Sequence, residues 1–140
     1  MEWNEALPLL QENHTGVAIS VSVTGRAQST VVSTAVLDGK VGFASRSHTV
    51  KVRNIQRTGR AAVTVIKLDT RRYVTVEGPA SVEPWQDTPA HIKRLRDLYV
   101  AMGRAPKGTD EKFAEQMRAE ERSLVLVAPE HLYGSLRQHA

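Results

Sequence analysis

Three hydroxyls and an ammonium crowd one short stretch of the chain: Ser45, Ser47, Thr49 and Lys51, in the run FASRSHTVKVRNIQRTG. Hydroxyls donate to phosphate oxygens, and a lysine attracts phosphate as a point charge. The run leaves a strand at Phe43–Ser45 and enters a basic helix near Thr49–Arg57, which carries Arg53, Asn54 and Arg57 beyond Lys51. A helix start offers unpaired backbone N–H groups and a partial positive charge, so this spacing suits anion binding, with phosphate the natural guest. Taken alone, the segment also reads as a solvated basic helix between two strands.

A second polar feature precedes it. Gln28, Ser29, Thr30, Ser33 and Thr34 form an uncharged strip along one strand. The strip is long enough to line a ring through hydrogen bonds, and it also fits a plain exposed strand face. Other chemistries find no support. The sequence has no Walker loop, no G-x-G-x-x-G and no G-x-S-x-G. It has no cysteine, which removes disulfides, thiolate nucleophiles and Cys-ligated metals. His14, His48, His91, His131 and His139 are scattered without ligand spacing, so no metal site is expected, and His91 reads as a surface residue. Asp110, Glu111, Glu115, Glu120 and Glu121 gather on a C-terminal helix, where i,i+4 pairing and solvation account for them. Glu77 lies inside a strand and is expected to pair with Arg72 or a neighbouring arginine rather than act as a base.

Periodicity and turns give the elements that must hold these residues. Glu2–Glu12 is an amphipathic helix in which Pro8 is tolerable only near the first turn. Val17–Val23 alternates, with Val17, Ile19, Val21 and Val23 on one face and Ala18, Ser20 and Ser22 on the other, as in a half-buried strand. After Thr24–Gly25 comes a long second strand, Ala27–Leu37, and Asp38–Gly39 is a hairpin signal that returns the chain as Lys40–Ser45. The basic helix stops at Thr58–Gly59. Ala61–Lys67 and Arg72–Glu83 are strands joined at Leu68–Arg71, with a bulge or edge marked by Gly78–Pro79. A helix over Ala90–Met102, a break at Gly103–Gly108 and a helix capped by Thr109 follow. A last strand, Ser123–Ala128, leads to a short tail through Tyr133–Gly134. Six strands, mostly in hairpins, with helices across an end describe a mainly β, antiparallel, closed or nearly closed barrel with flanking helices, read as a single domain over residues 1–140.

Composition narrows the partner. Nineteen basic against 15 acidic residues give a net charge of +4, which favours an anionic partner. Aromatic residues are 5% and are not interleaved with the basic ones, so no base-stacking platform and no nucleic-acid partner is expected. No run approaches the roughly 20 apolar residues of a membrane-spanning helix. The N-terminus lacks the basic region of a secretion signal. A soluble cytoplasmic protein is the expectation.

The order strand–turn–strand–[ST]-x-K–basic helix–strand–turn–strand ending V-E-G resembles the split-barrel flavoprotein superfamily that includes pyridoxamine 5′-phosphate oxidase. Thr49–Val50–Lys51 stands where that family has its phosphate-binding S-x-K, and Arg72–Tyr73–Val74–Thr75–Val76–Glu77–Gly78 matches its R-Q-V-R-V-E-G. The resemblance spans Gly16 to Glu83 and, more loosely, the C-terminal strand with His131–Leu132–Tyr133–Gly134. It implies a six-stranded split β-barrel of the FMN-binding type. There are departures. The FMN-binding oxidases have an R-x-V-L-L-K strand where this chain has the uncharged Ser29–Thr30–Val31–Val32–Ser33–Thr34, and Tyr73 and Thr75 replace the glutamine and second arginine. The C-terminal motif for pyridoxal phosphate is missing, so vitamin B6 oxidation is not expected.

The chain is more similar to the actinobacterial branch that uses the deazaflavin coenzyme F-420. There S-x-x-x-x-x-K-x-R-N, here Ser45 to Asn54, meets the coenzyme's phosphate and side chain. The resemblance implies that Ser45, Arg46, Thr49, Val50, Lys51 and Asn54 bind the phospholactyl arm and that Gln28, Thr30 and Val32 lie beside the ring. It implies a homodimer with cofactor sites at the interface, Tyr73 and Thr75 reaching the ring from the second chain. Arg46, Arg53 and Arg57 would steer the coenzyme's polyglutamate tail, each exposed contact contributing about 0.2–1 kcal/mol. The activity implied is hydride transfer from reduced F-420 to a conjugated, electron-poor small molecule: an enone, quinone, lactone or tetrapyrrole. No catalytic side chain is assigned, since solvent or Tyr73 suffices to protonate the product. The alternatives are an FMN- or haem-binding relative on the same fold and an F-420 carrier without turnover.

Overall fold

Hairpins build most of the sheet. In the computed structural model, which describes residues 1–137, β1 (Thr15–Val21) returns through Gly25 (φ 82°) as β2 (Ala27–Ser33), with Val17 opposite Val31 and Ala18 opposite Thr30. The chain then bends at Thr34 into β3 (Ala35–Leu37). Asp38 and Gly39, both with positive φ (56° and 68°), turn it back as β4 (Lys40–Arg46), as the D-G signal requires. Helix α1 (Trp3–Glu12) precedes these strands, and α2 (Val50–Thr58) follows them. Next come β5 (Arg60–Lys67), β6 (Arg72–Glu83), α3 (Pro89–Ala101), α4 (Asp110–Glu120), β7 (Arg122–Val127) and β8 (His131–Ser135).

The strand order is β2-β1-β5-β6-β7-β4-β3, all antiparallel. Because β2 and β3 are consecutive stretches of one bent chain, the two ends of this order meet and the sheet closes. The expected long second strand is therefore two strands with different partners. Residues 73–77 of β6 lie between β5 and β8, while Ala80–Glu83 pair with β7. The switch falls at Gly78–Pro79, where a Cβ on Gly78 would sit 2.0 Å from the Ala128 carbonyl oxygen. The C-terminal tail is also a strand, β8, so the barrel has eight strands rather than six. The class, an antiparallel split barrel with flanking helices, is as the sequence implied.

Two apolar clusters fill the structure. One lies inside the barrel and includes Phe43, Val63, Val65, Val74, Val76 and Val125, with Leu10 from α1 and Val52 and Ile55 from α2. The other packs α3 and α4 on the sheet through Leu95, Leu98, Phe113, Met117, Leu124 and Leu126. Val52 and Ile55, three apart on α2, seat that helix on the barrel, which fixes where its first turn points.

One reading that the sequence left open is decided, and two are corrected. The buried face of β1 is the small one, Gly16, Ala18 and Ser20, while Val21 and Val23 are 45% and 80% exposed. Only small side chains fit there: a Cβ on Gly16 would meet Thr64 O at 2.7 Å. Pro8 lies well inside α1 rather than in its first turn, and a Glu2–Glu5 capping box holds the start. His91 is buried, with Nε2 at 2.9 Å from the Arg122 carbonyl. His139 lies outside the described residues. No helix among the described residues is long and apolar enough to cross a membrane.

Candidate functional site

The hydroxyl-rich run becomes a tight loop pinned from both sides. Antiparallel pairing sets Ser45 against Ser123 and Arg46 against Arg122. Beyond the strand, Ser47 Oγ donates to Glu121 O at 2.8 Å and lies 2.7 Å from Ser123 Oγ. Thr49 Oγ1 donates to Arg46 O at 3.0 Å and meets Ser45 Oγ at 3.1 Å. These bonds occupy the Thr49 hydroxyl, so although Thr49 is the N-cap of α2 its side chain caps nothing. The first-turn N–H groups of α2 are left for another acceptor.

Lys51 stands in that first turn. It is 9% exposed, yet no hydrogen-bond or ion-pair partner meets its ammonium among the described residues. Burial, and next the charge of Arg122, lowers its pKa from the ordinary value of 10.5. A cleft of about 380 Å³ opens in front of it. Its walls are Val31, Val32 and Ser33 of β2, Ala44, Ser45 and Arg46 of β4, Thr49 and Lys51, then Tyr99, Met102, Arg104 and Arg122. Four cationic residues and no acid line it. Arg122 is held on its far side by Glu120 at 2.7 Å and donates to Ala44 O at 3.4 Å. Arg104 donates to Ser33 Oγ at 3.3 Å. A small region rich in cations, hydroxyls and free N–H groups can hold an oxyanion, and a partly buried ammonium without a counter-charge is the feature an anion would relieve.

The structure gathers Val32, Ser45, Arg46, Thr49 and Lys51 on this cleft; the Val50 side chain is 48% exposed, leaving its backbone N–H to contribute. Asn54 goes elsewhere. Its amide donates to Ser20 Oγ at 3.1 Å, Ser20 Oγ to Gln28 Oε1 at 3.2 Å, and Gln28 Nε2 to Thr30 Oγ1 at 2.8 Å. This chain of bonds ties α2 to β1 and β2, so Gln28, Thr30 and Asn54 share one network beside the cleft rather than lining it. Arg57 donates to Val21 O. Tyr73 and Thr75 are also off the cleft. Thr75 is buried with its hydroxyl 2.7 Å from Thr64 Oγ1, in a cross-sheet row running Val31, Val17, Thr64, Thr75, Tyr133. Glu77 pairs with Arg60 at 3.4 Å, a neighbouring arginine, and not with Arg72.

Sequence reasoning missed Tyr99, Arg104 and Arg122. Arg104 sits in the helix break Gly103–Gly108, and only strand pairing brings Arg122 opposite Arg46. Together they deliver the cations that the β2 strip lacks. Among the described residues no group of three His, Cys, Asp or Glu could hold a metal.

Residues 3–135 match the family described as pyridoxamine 5′-phosphate oxidase. No curated protein matches the sequence. Similar solved structures include a conserved hypothetical protein of Mycobacterium tuberculosis, 21% identical, covering 96% of this chain and 84% of that one with a TM-score of 0.73. An F-420 reductase is 22% identical over 90% of this chain and 94% of its own, with a TM-score of 0.67. A pyridoxamine 5′-phosphate oxidase-related, FMN-binding protein of Nostoc punctiforme is 16% identical over 94% and 82%, also with a TM-score of 0.67.

Proposed function

The chain belongs to the pyridoxamine 5′-phosphate oxidase family, a family of oxidoreductases that bind flavin-type cofactors, and on that footing we propose that it is an F-420-dependent reductase. One observation carries this reading: the buried, unpartnered Lys51 at the open start of α2, in a cleft with four cations and no acid. A phosphate there would accept from the Lys51 ammonium and the first-turn N–H groups, and from the Ser45 hydroxyl once it turns away from Thr49 Oγ1. Arg46, Arg104 and Arg122 would balance its charge. The uncharged β2 strip favours the deazaflavin over FMN, whose relatives put an arginine and a lysine on that strand. When bound, the ring supplies a hydride to a conjugated, electron-poor acceptor, and the protein's part is to hold the reacting atoms about 3–3.5 Å apart.

The outer face of β1 and β2 supports a homodimer. Val31 is 71% exposed opposite Val17, with Val21 at the end of β1, Val23 in the turn beyond it and Tyr133 in the same row as Val31. Apolar rows of this kind are characteristic of covered surfaces, and a second copy is the occupant proposed. Tyr73 and Thr75 belong to this face, where a ring held by the partner would meet Tyr73, while Thr75 lies buried beneath it.

A second reading, FMN, is favoured by Arg104 and Arg122, which bring cations to the cleft from outside β2. Titration of the purified protein with F-420 and FMN side by side separates the two. A fluorescence change on adding F-420 and turnover with an electron-poor acceptor are expected. A yellow or Soret-absorbing protein that ignores F-420 would overturn the reading, and F-420 binding without turnover across a broad acceptor panel would reduce it to a carrier.

A further inference from the structure

Four cations line the Lys51 cleft, and one carboxylate stands behind them. Among the salt bridges of the described residues, only that of Glu120 with Arg122 takes up a cation of this cleft. The chain places the two side by side. Glu120 ends α4 and Arg122 opens β7, and Glu121 between them turns the backbone through the left-handed region (φ 49°, ψ 55°). The Glu121 carbonyl also accepts from Ser47 N at 3.1 Å and from Ser47 Oγ at 2.8 Å. The turn that carries the pair therefore anchors the hydroxyl-rich loop as well.

Both carboxylate oxygens of Glu120 are engaged. Oε2 accepts from Arg122 Nε at 2.7 Å, and Oε1 accepts from Gln116 Nε2 at 3.1 Å. The two paired side chains are largely withdrawn from water, Glu120 at 18% and Arg122 at 28% exposed. Burial opposes the Glu120 charge, but the hydrogen bonds from Arg122 and Gln116 and the charges of Arg122 and Arg46 outweigh it, lowering its pKa from the ordinary 4.5. Glu120 is therefore ionised at neutral pH.

A fixed negative charge behind the wall repels each charge of a guest resting on Lys51, so a guest with two feels it twice. Phosphates come in both kinds. A diester carries one negative charge, whereas a monoester carries about 1.5 to 2 at pH 7, its second proton leaving near about pH 6. F-420 presents a diester and FMN a monoester. We propose that Glu120 is a specificity-determining residue: by neutralising Arg122 from behind the cleft wall, it disfavours a phosphate monoester relative to a diester. It acts through the field in the cleft and not by contact with the guest. This deepens the F-420 reading and rests on Lys51 as the phosphate anchor.

The test uses two ligands that share one ring, a deazaflavin 5′-phosphate and its methyl ester, with F-420 and FMN titrated beside them. The proteins are the wild type, the neutral variants Glu120→Gln and Glu120→Ala, and the charge-keeping Glu120→Asp. At about pH 8 both neutral variants should shift the affinity ratio toward the monoester by about three- to tenfold, and Glu120→Asp should keep the wild-type ratio. At about pH 5, where the monoester also carries one charge, the shift should disappear. The charged and titratable groups around Glu120 are Arg122, Arg46 and Tyr99, with His91 on the Arg122 carbonyl and His48 beside Glu121. All the proteins keep these groups, so the difference between variant and wild type isolates Glu120. An unchanged ratio, or equal weakening of both esters, would make Glu120 only a support for Arg122 and overturn the inference while leaving the cofactor reading intact. A wild type that binds no deazaflavin would overturn both.

Discussion

Lys51 and Arg122 face one cleft from elements that meet only in the folded chain, the first turn of α2 and the start of β7. They are like charges, and only one is neutralised: Glu120 holds Arg122 at 2.7 Å, whereas Lys51 has no counter-charge. Arg122 thereby adds to the effect of burial on the Lys51 ammonium. An anion placed between them would relieve both penalties, which makes this pair the electrostatic centre of the site.

Replacing Lys51 by alanine should weaken F-420 binding by roughly 1.5–3 kcal/mol, the usual loss for a charge-assisted hydrogen bond. Fluorescence titration measures this, with circular dichroism showing an intact fold. Unchanged affinity would remove the central claim.

Lys51 also sets the pH dependence. Its folded pKa lies below 10.5, so the unfolded chain binds more protons across the window between the two values. The stability of the free protein should therefore rise with pH through that window as the penalty on the buried ammonium disappears. Cofactor affinity should run the other way and fall as Lys51 loses its proton. Lys51→Arg should flatten that fall, because a guanidinium stays charged. A pH series of titrations on both proteins is the measurement, and identical profiles would exclude Lys51 as the titrating group.

Asn54 separates support from contact. Because its amide feeds the Ser20–Gln28–Thr30 network, Asn54→Ala should cost about 1–2 kcal/mol of stability. It should change F-420 affinity less than Lys51→Ala does. Urea melts alongside titrations test this, and an affinity loss as large as that of Lys51→Ala would make Asn54 a direct ligand contact.

Val31→Lys should dissociate the proposed homodimer while leaving the monomer nearly as stable, since Val31 is largely exposed in the single chain. Sedimentation should show subunit affinity lowered roughly tenfold or more. A wild-type protein that sediments as a monomer at micromolar concentration would refute the dimer.

Gly78→Ala should destabilise the fold by about 3 kcal/mol, because the new methyl would collide with the Ala128 backbone at the corner where β6 changes partners. A denaturant midpoint shifted at constant slope is the expected reading.

Much of this was legible in local chemistry. Asp38–Gly39 announced its hairpin, Gly59 its helix end (φ 67°), and Thr49–Val50–Lys51 with Arg72–Gly78 announced the family. These signals are local because turn dihedrals, helix ends and short motifs depend on residues a few positions apart. Alternation in β1 gave two faces without saying which one is inside. That depended on the close approach of Thr64 to Gly16, and it put the valines outside. The bend at Thr34 and the pairing of β8 likewise rest on partners far along the chain.

The sequence by itself determined the hairpins from β1 to β6, the order of the helices and the lysine-bearing helix start, but not the split of the second strand or the pairing of β8. Tertiary structure alone decided that Tyr99, Arg104 and Arg122 join Lys51 around one cleft, and that Asn54, Gln28 and Thr30 bond to each other beside it. The physical reason is that charge and hydrogen-bonding capacity belong to residue types, whereas which groups share a space depends on barrel closure and on the packing of α3 and α4.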